Sequence, residues 1–173
     1  PDLDWLEGAE HCHSTWDLLT GAVAAQGEVL VYDGTGRQAA PSCALKLADA
    51  GRTVTLATPD AVPAAEMPYQ DATSFRKRFY QAGLATLTDH ALIRVERRGN
   101  RLRATLRNEM TGAERSLDAA QVVVEHGTLP LDDLFTELRE SGEGFALHRI
   151  GDAVASRDLH ASILDAYRLC LGL

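Results

Sequence analysis

The sequence predicts an α/β chain: a βαβ unit with parallel strands, a three-strand antiparallel meander, and a closing strand–turn–helix. Three observations predict it. The first is the stretch from Glu28 to Pro59, where an apolar run (Val29–Tyr32) meets a tight turn, Asp33-Gly34-Thr35-Gly36. Ala39, Cys43, Ala44 and Leu47 follow at helical spacing, Gly51 closes the helix, and Val54–Ala57 forms a second apolar run. The second is a change of period from helical to two between Ile93 and Leu117, with turn signals at Arg98-Gly99-Asn100 and Thr111-Gly112. The third is the buried run Val122-Val123-Val124, after which the chain passes through a glycine–proline turn to another strand and helix.

Taken in order, residues 1–27 have no strong periodicity and are anchored by Trp5, Leu6, Trp16, Leu18 and Leu19. His11-Cys12-His13 reads as a polar turn before a short helix, because no further ligand cluster accompanies it. After the βαβ unit, Pro59, Pro63 and Pro68 mark a loop. Phe75, Arg76, Phe79, Tyr80 and Leu84 then predict a helix ending near Gly83, with a basic face at Arg76-Lys77-Arg78. That face is either solvated or a contact to a cofactor phosphate or partner. Leu84–Leu87 is a short strand. Ile93 and Val95, then Leu102, Ala104 and Leu106, then Arg115–Leu117 give the meander, whose arginines cover a wet face. Gln121–Glu125 is a buried strand running into Glu125-His126-Gly127-Thr128-Leu129-Pro130. Asp132-Asp133 cap a helix through Leu138, Ser141–Gly144 is a link, and Phe145–Ile150 is a last strand. Ala153, Ser156 and Arg157 form a turn, and Leu159, Ile163, Ala166, Leu169 and Cys170 stripe the final helix.

The bulk composition bounds the function. The chain has 173 residues, 45% apolar and 24% charged, with a net charge of −8. That balance argues against nucleic acid or an anionic membrane surface as partner. No apolar run approaches the roughly 20 residues that span a bilayer. The start, Pro1-Asp2-Leu3-Asp4, is acidic, has no apolar h-region and no initiator Met, so the expectation is no signal peptide and a chain cut from something longer. Cys12, Cys43 and Cys170 are too sparse for a disulfide scaffold, a zinc site or an iron–sulfur site, and a reducing, cytoplasmic setting is expected.

Gly34-Thr35-Gly36-Arg37-Gln38-Ala39 reads as G-x-G-x-x-A between a strand and a helix. Gly34 and Gly36 permit the tight turn and close approach of a pyrophosphate, and Ala39 permits helix–strand packing. This makes residues 28–126 a Rossmann-like NAD(P)-binding domain. Asp33 places a negative charge beside the turn, so occupied and vestigial sites are both open. Asp60, just past the second strand, is the candidate for a ribose hydroxyl, or else a plain turn residue, and NAD is preferred over NADP because no Arg follows at once. Glu125-His126-Gly127 reads as a hinge, a buried pair or a contact to bound nucleotide, or else His126 is a satisfied turn histidine. There is no catalytic triad, no activated nucleophile and no metal cluster; chemistry in such a fold belongs to cofactors.

The order of elements, with Val29–Asp33, Ala40-Pro41-Ser42, Val122–Pro130 and Arg149–Arg157, resembles the C-terminal nucleotide-binding region of the trimethylamine dehydrogenase and dienoyl-CoA reductase family. Within it the dimethylglycine and N-methylproline demethylase-like members are nearest, and the resemblance runs from about Trp16 onward. It implies that 1–27 leads in from a preceding FAD-like domain, that 28–126 is the inserted NAD(P)-binding-like domain, and that 127–173 is the crossover and returning FAD-like strand–helix. It implies that Gly151-Asp152 is a cofactor pair, with Asp152 on the flavin's ribityl chain, against a helix-cap reading of the same residue. It implies FAD or ADP, with NAD(H), in this region, and FMN with an iron–sulfur cluster in an N-terminal part that this chain lacks. The implied partners are that FMN barrel, an electron-acceptor protein and further copies of the chain.

Two functions follow. One is the dinucleotide-binding portion of an FMN and iron–sulfur oxidoreductase acting on N-methyl amines. The other is a degenerate, non-catalytic nucleotide fold that packs subunits or docks an electron-acceptor protein.

Overall fold

The computed structural model describes residues 3–142 and 144–172, which divide into two compact units, 1–126 and 127–173. Glu143 of the Ser141–Gly144 link lies outside the described residues.

The first unit is built on a five-stranded parallel sheet. Its strands are β1 (Cys12–Ser14), β2 (Val29–Asp33), β3 (Val54–Ala57), β4 (Ala85–Leu87) and β8 (Gln121–Glu125), in the order β1-β8-β2-β3-β4. The meander between β4 and β8 comprises β5 (His90–Arg98), β6 (Arg101–Asn108) and β7 (Glu114–Ala119), a separate antiparallel sheet. Strands β2 and β8 are buried at every position. The reason is that both faces are covered, which is why the sequence shows unbroken apolar runs there rather than alternation. Val29, Val31 and Val123 pack against helices α1 (Thr15–Thr20), α2 (Ala39–Asp49) and α3 (Tyr69–Ala82), with Leu18, Cys43, Ala44, Leu47 and Phe79. The alternate residues Leu30, Tyr32, Val122 and Val124 pack against the meander through Leu92, Val95, Leu102, Ala104 and Leu106.

The lead-in is more structured than its sequence predicts. His11-Cys12-His13, expected as a polar turn, passes from a 3-10 turn (Ala9–His11) into β1, which pairs Cys12–Ser14 with Val122–Val124. Ser14 then caps α1: its hydroxyl accepts from the Asp17 N–H, and the Asp17 carboxylate accepts from the Ser14 N–H at 2.8 Å.

The second unit contains α4 (Asp133–Glu140) and α5 (Leu159–Gly172). Asp132 precedes α4, but its carboxylate pairs with Arg149 rather than capping the helix. Arg149 also lies over the Phe135 ring at 5.0 Å. The last strand predicted at Phe145–Ile150 is not formed: these residues pair with no strand. An apolar run becomes a strand only where a neighbour supplies a ladder, and Phe145 and Ile150 stay exposed. Along α5, Leu159 and Ile163 of the predicted stripe are exposed, whereas Ala166 and Leu169 are half-buried. No helix among the described residues is long and apolar enough to cross a membrane.

Candidate functional site

The C-terminal ends of β2, β3 and β8 meet at the glycine turn, the crevice where open parallel sheets bind ligands. The turn is shaped by its glycines. Gly34 donates its N–H to the Glu125 carbonyl at 2.8 Å, and a Cβ there would stand 2.7 Å from His126 Cδ2. Gly36 has φ +64, and a Cβ would stand 3.0 Å from Asp60 Oδ2 and 3.1 Å from the Glu66 nitrogen. The Glu66 N–H donates to the Gly36 carbonyl at 2.9 Å, so the loop after β3 closes over the turn. Ala64, in that loop, is fully buried at φ 60, a left-handed conformation that is strained for any residue but glycine. Ala39 opens α2, whose cap residue Gln38 contributes no side-chain bond.

Asp33 decides what this turn can hold. Its carboxylate is fully buried. Oδ1 accepts the Gly36 N–H at 2.9 Å, the Thr35 N–H at 3.2 Å and the Thr35 hydroxyl at 3.3 Å. Oδ2 is buried with no partner. Burial pushes the Asp33 carboxyl up to about 6; the Thr35 and Gly36 hydrogen bonds oppose that rise, and the Asp60 charge adds to it. The Thr35 and Gly36 N–H groups of the turn are therefore bound to the Asp33 carboxylate.

The predicted residues fall into two places. Gly34, Gly36, Ala39 and Asp60 come together around the turn. Asp60 is held by its neighbours: its N–H donates to the Thr58 hydroxyl at 3.2 Å, and its carbonyl accepts the Asp89 N–H at 3.0 Å. Gly151 and Asp152 lie in the second unit, in a 3-10 turn (Gly151–Ala153) before α5. Gly151 is buried at φ +60, with Ser162 Oγ 3.3 Å from the position of a Cβ. The turn leaves the Asp152 carboxylate exposed, with one long contact from the Arg157 N–H at 3.4 Å. It does not cap α5. Asp158 does, accepting the Ala161 N–H at 2.7 Å.

Sequence reasoning missed three features. Glu66 closes the turn from a loop with no local pattern. Thr15, at the start of α1, donates its hydroxyl to the buried Glu125 carboxylate, 110 residues away. Trp5 packs against His126 with ring centroids 4.6 Å apart and planes tilted by 41°, beside Tyr32. The Asp158 cap was readable, since Asp immediately before an apolar helical stripe is a start signal. Two of the cysteines are chemically quiet: burial pushes Cys12 up to about 12 and Cys43 up to about 11. No cluster of three His, Cys, Asp or Glu among the described residues could hold a metal.

No protein-family profile matches the chain. Individual proteins do. A multifunctional alkene reductase/demethylase of Caballeronia cordobensis is 40% identical over all of this chain and 30% of its own length. The N,N-dimethylglycine/sarcosine dehydrogenase of Chromohalobacter salexigens is 35% identical over 91% of this chain and 27% of its own. A probable N-methylproline demethylase of Rhizobium meliloti is 34% identical over 94% and 27%. This chain belongs to the trimethylamine dehydrogenase and dienoyl-CoA reductase family. It spans less than a third of the length of these family members. Two solved structures share the fold. The 6-hydroxypseudooxynicotine amine oxidase of Pseudomonas geniculata has TM-score 0.78 at 24% identity, over 96% of this chain and 24% of that one. The histamine dehydrogenase of a Rhizobium species has TM-score 0.80 at 17% identity, over 97% and 27%. The family's named members are oxidoreductases, and this chain corresponds to part of one.

Proposed function

We propose that this chain is the C-terminal nucleotide-fold portion of a flavin-dependent oxidoreductase acting on N-methylated amines, and that its glycine turn is a vestigial dinucleotide site. The names of the relatives support the substrate class: two act on N-methylated amino acids and a third is a demethylase. The observation that carries the second half is Asp33. A pyrophosphate needs free N–H groups and a positive field. Here the Thr35 and Gly36 N–H groups bind the Asp33 carboxylate, and Asp60 and Glu66 crowd the same glycine. The residues present at the turn do not fit a dinucleotide phosphate.

Gly151-Asp152 fits its expected role better. The left-handed glycine lets the backbone turn against Ser162 and leaves the Asp152 carboxylate free to accept hydroxyl donors, as a ribityl chain would supply. On this reading a flavin supplies the redox chemistry, while the chain supplies position. The Rossmann-like unit then serves to pack against the FMN barrel and iron–sulfur part of the same enzyme, or against an electron-acceptor protein. Two experiments test the reading. Calorimetry of the chain with ADP and NADH should show no binding, and saturable binding of either would end the vestigial-site claim. A polypeptide of the relatives' length carrying this sequence should oxidise N,N-dimethylglycine or N-methylproline with an artificial electron acceptor. Failure on both substrates, with flavin bound, would remove the substrate assignment.

A further inference from the structure

The basic triplet of α3 is divided by the fold. Arg78 faces Asp49 across 3.4 Å. Arg76 makes no ion pair among the described residues, yet it shares a helix face with Tyr80, four residues on. Together they rim a cavity of about 190 Å³ beside β4. Its apolar walls are Val62, Phe79 and Leu84, and Thr86 also lines it. Phe79 is 3% exposed and forms a firm base, whereas Tyr80 is 81% and Val62 43% exposed at the mouth. An exposed aromatic, an exposed aliphatic and a guanidinium without an ion-pair partner among the described residues surround one hollow. They are also the ingredients of a small-molecule site, apolar walls with a few convergent polar groups.

Size and charge limit the ligand. A cavity of about 150 Å³ accommodates benzene, so this hollow takes one ring with a single substituent. A guanidinium recognises a carboxylate with two parallel hydrogen bonds, and a neighbouring tyrosine offers a face for stacking. One cation at the hollow, on a chain of net charge −8, selects a monoanion over a polyanion. We propose that this hollow is a binding site for a small aromatic or branched aliphatic monocarboxylate, its carboxylate on Arg76 and its apolar body between Phe79, Leu84 and Val62. The site is distinct from the glycine turn, and its fate is independent of the reading given above.

The test is an amide-resonance titration of the 173-residue chain with three probes of one ring each: benzoate, benzyl alcohol and benzylamine. Benzoate should give saturable shifts at Val62, Tyr80, Leu84 and Thr86, tighter than benzyl alcohol, with benzylamine weakest. Arg76→Gln should weaken benzoate roughly five-fold, the loss of one exposed charge contact, and leave benzyl alcohol unchanged. Thr86→Trp, a substitution at an exposed position that fills the hollow, should abolish binding of all three. No saturable shift with benzoate, equal binding of the three probes, or benzoate binding that survives Thr86→Trp would each overturn the proposal.

Discussion

Replacing Asp33 by Asn should make the chain more stable at neutral pH and not in acid. The folded carboxyl is raised from 3.8 to about 6, chiefly by burial. Ionising it in the folded chain therefore costs on the order of 3 kcal/mol more than in the unfolded chain. Below about pH 4 the group is protonated in both states and the penalty is absent. Between about pH 4 and pH 6 only the folded state holds the proton, so stability falls as pH rises; above about pH 6 the full penalty stands. Asparagine keeps an oxygen for the Gly36 and Thr35 N–H groups and cannot ionise. The measurement is urea unfolding of both proteins from about pH 4 to pH 8, taking the difference so that other titrating groups cancel. The variant's advantage should grow through the window and level off near pH 7, at a size on the order of 1–3 kcal/mol. A difference that is flat with pH, or that favours the wild type increasingly as pH rises, would refute the idea that Asp33 is a desolvated carboxylate.

Other outcomes follow from the same geometry. Gly36→Ala should cost about 1–3 kcal/mol in urea unfolding, because φ is +64 and the new Cβ meets Asp60 and Glu66. Gly8→Ala should cost about 3 kcal/mol or more, since its Cβ would fall 1.8 Å from the Val95 carbonyl oxygen at φ +82. Thr15→Val should cost about 1–3 kcal/mol by removing a donor from the buried Glu125 carboxylate, again read by urea unfolding. Asp158→Ala should cost α5 about 1 kcal/mol, seen as faster amide exchange over residues 161–164 with β2 and β8 unchanged.

How much of this was legible depended on the range of the interaction. Strands β2, β3 and β8 were readable because burial on both faces leaves continuous apolar runs, and the meander because one wet face leaves alternation. Helix α2 was readable from Ala39, Cys43, Ala44 and Leu47, whose spacing puts them on one stripe. Strand β1 was not: Cys12-His13-Ser14 is short and mostly polar, and becomes a strand only through its pairing with Val122–Val124. The reverse error occurred at Phe145–Ile150, an apolar run without a partner strand. At the site, the glycine turn and the suspicion of Asp33 came from residue type alone. That its carboxylate takes the Gly36 and Thr35 N–H groups depends on the path of the turn, which spacing does not specify. Glu66 and Thr15 act across the fold and leave no local trace.

The most direct test of the account is an amide-resonance titration of the wild-type chain with ADP, watching Thr35, Gly36 and Ala39. With the turn already holding the ionised Asp33 carboxylate, those signals should stay in place at every ADP concentration at pH 7.5. Saturable shifts confined to Thr35, Gly36 and the first turn of α2 would contradict it, because they would mean that a phosphate displaces the internal anion.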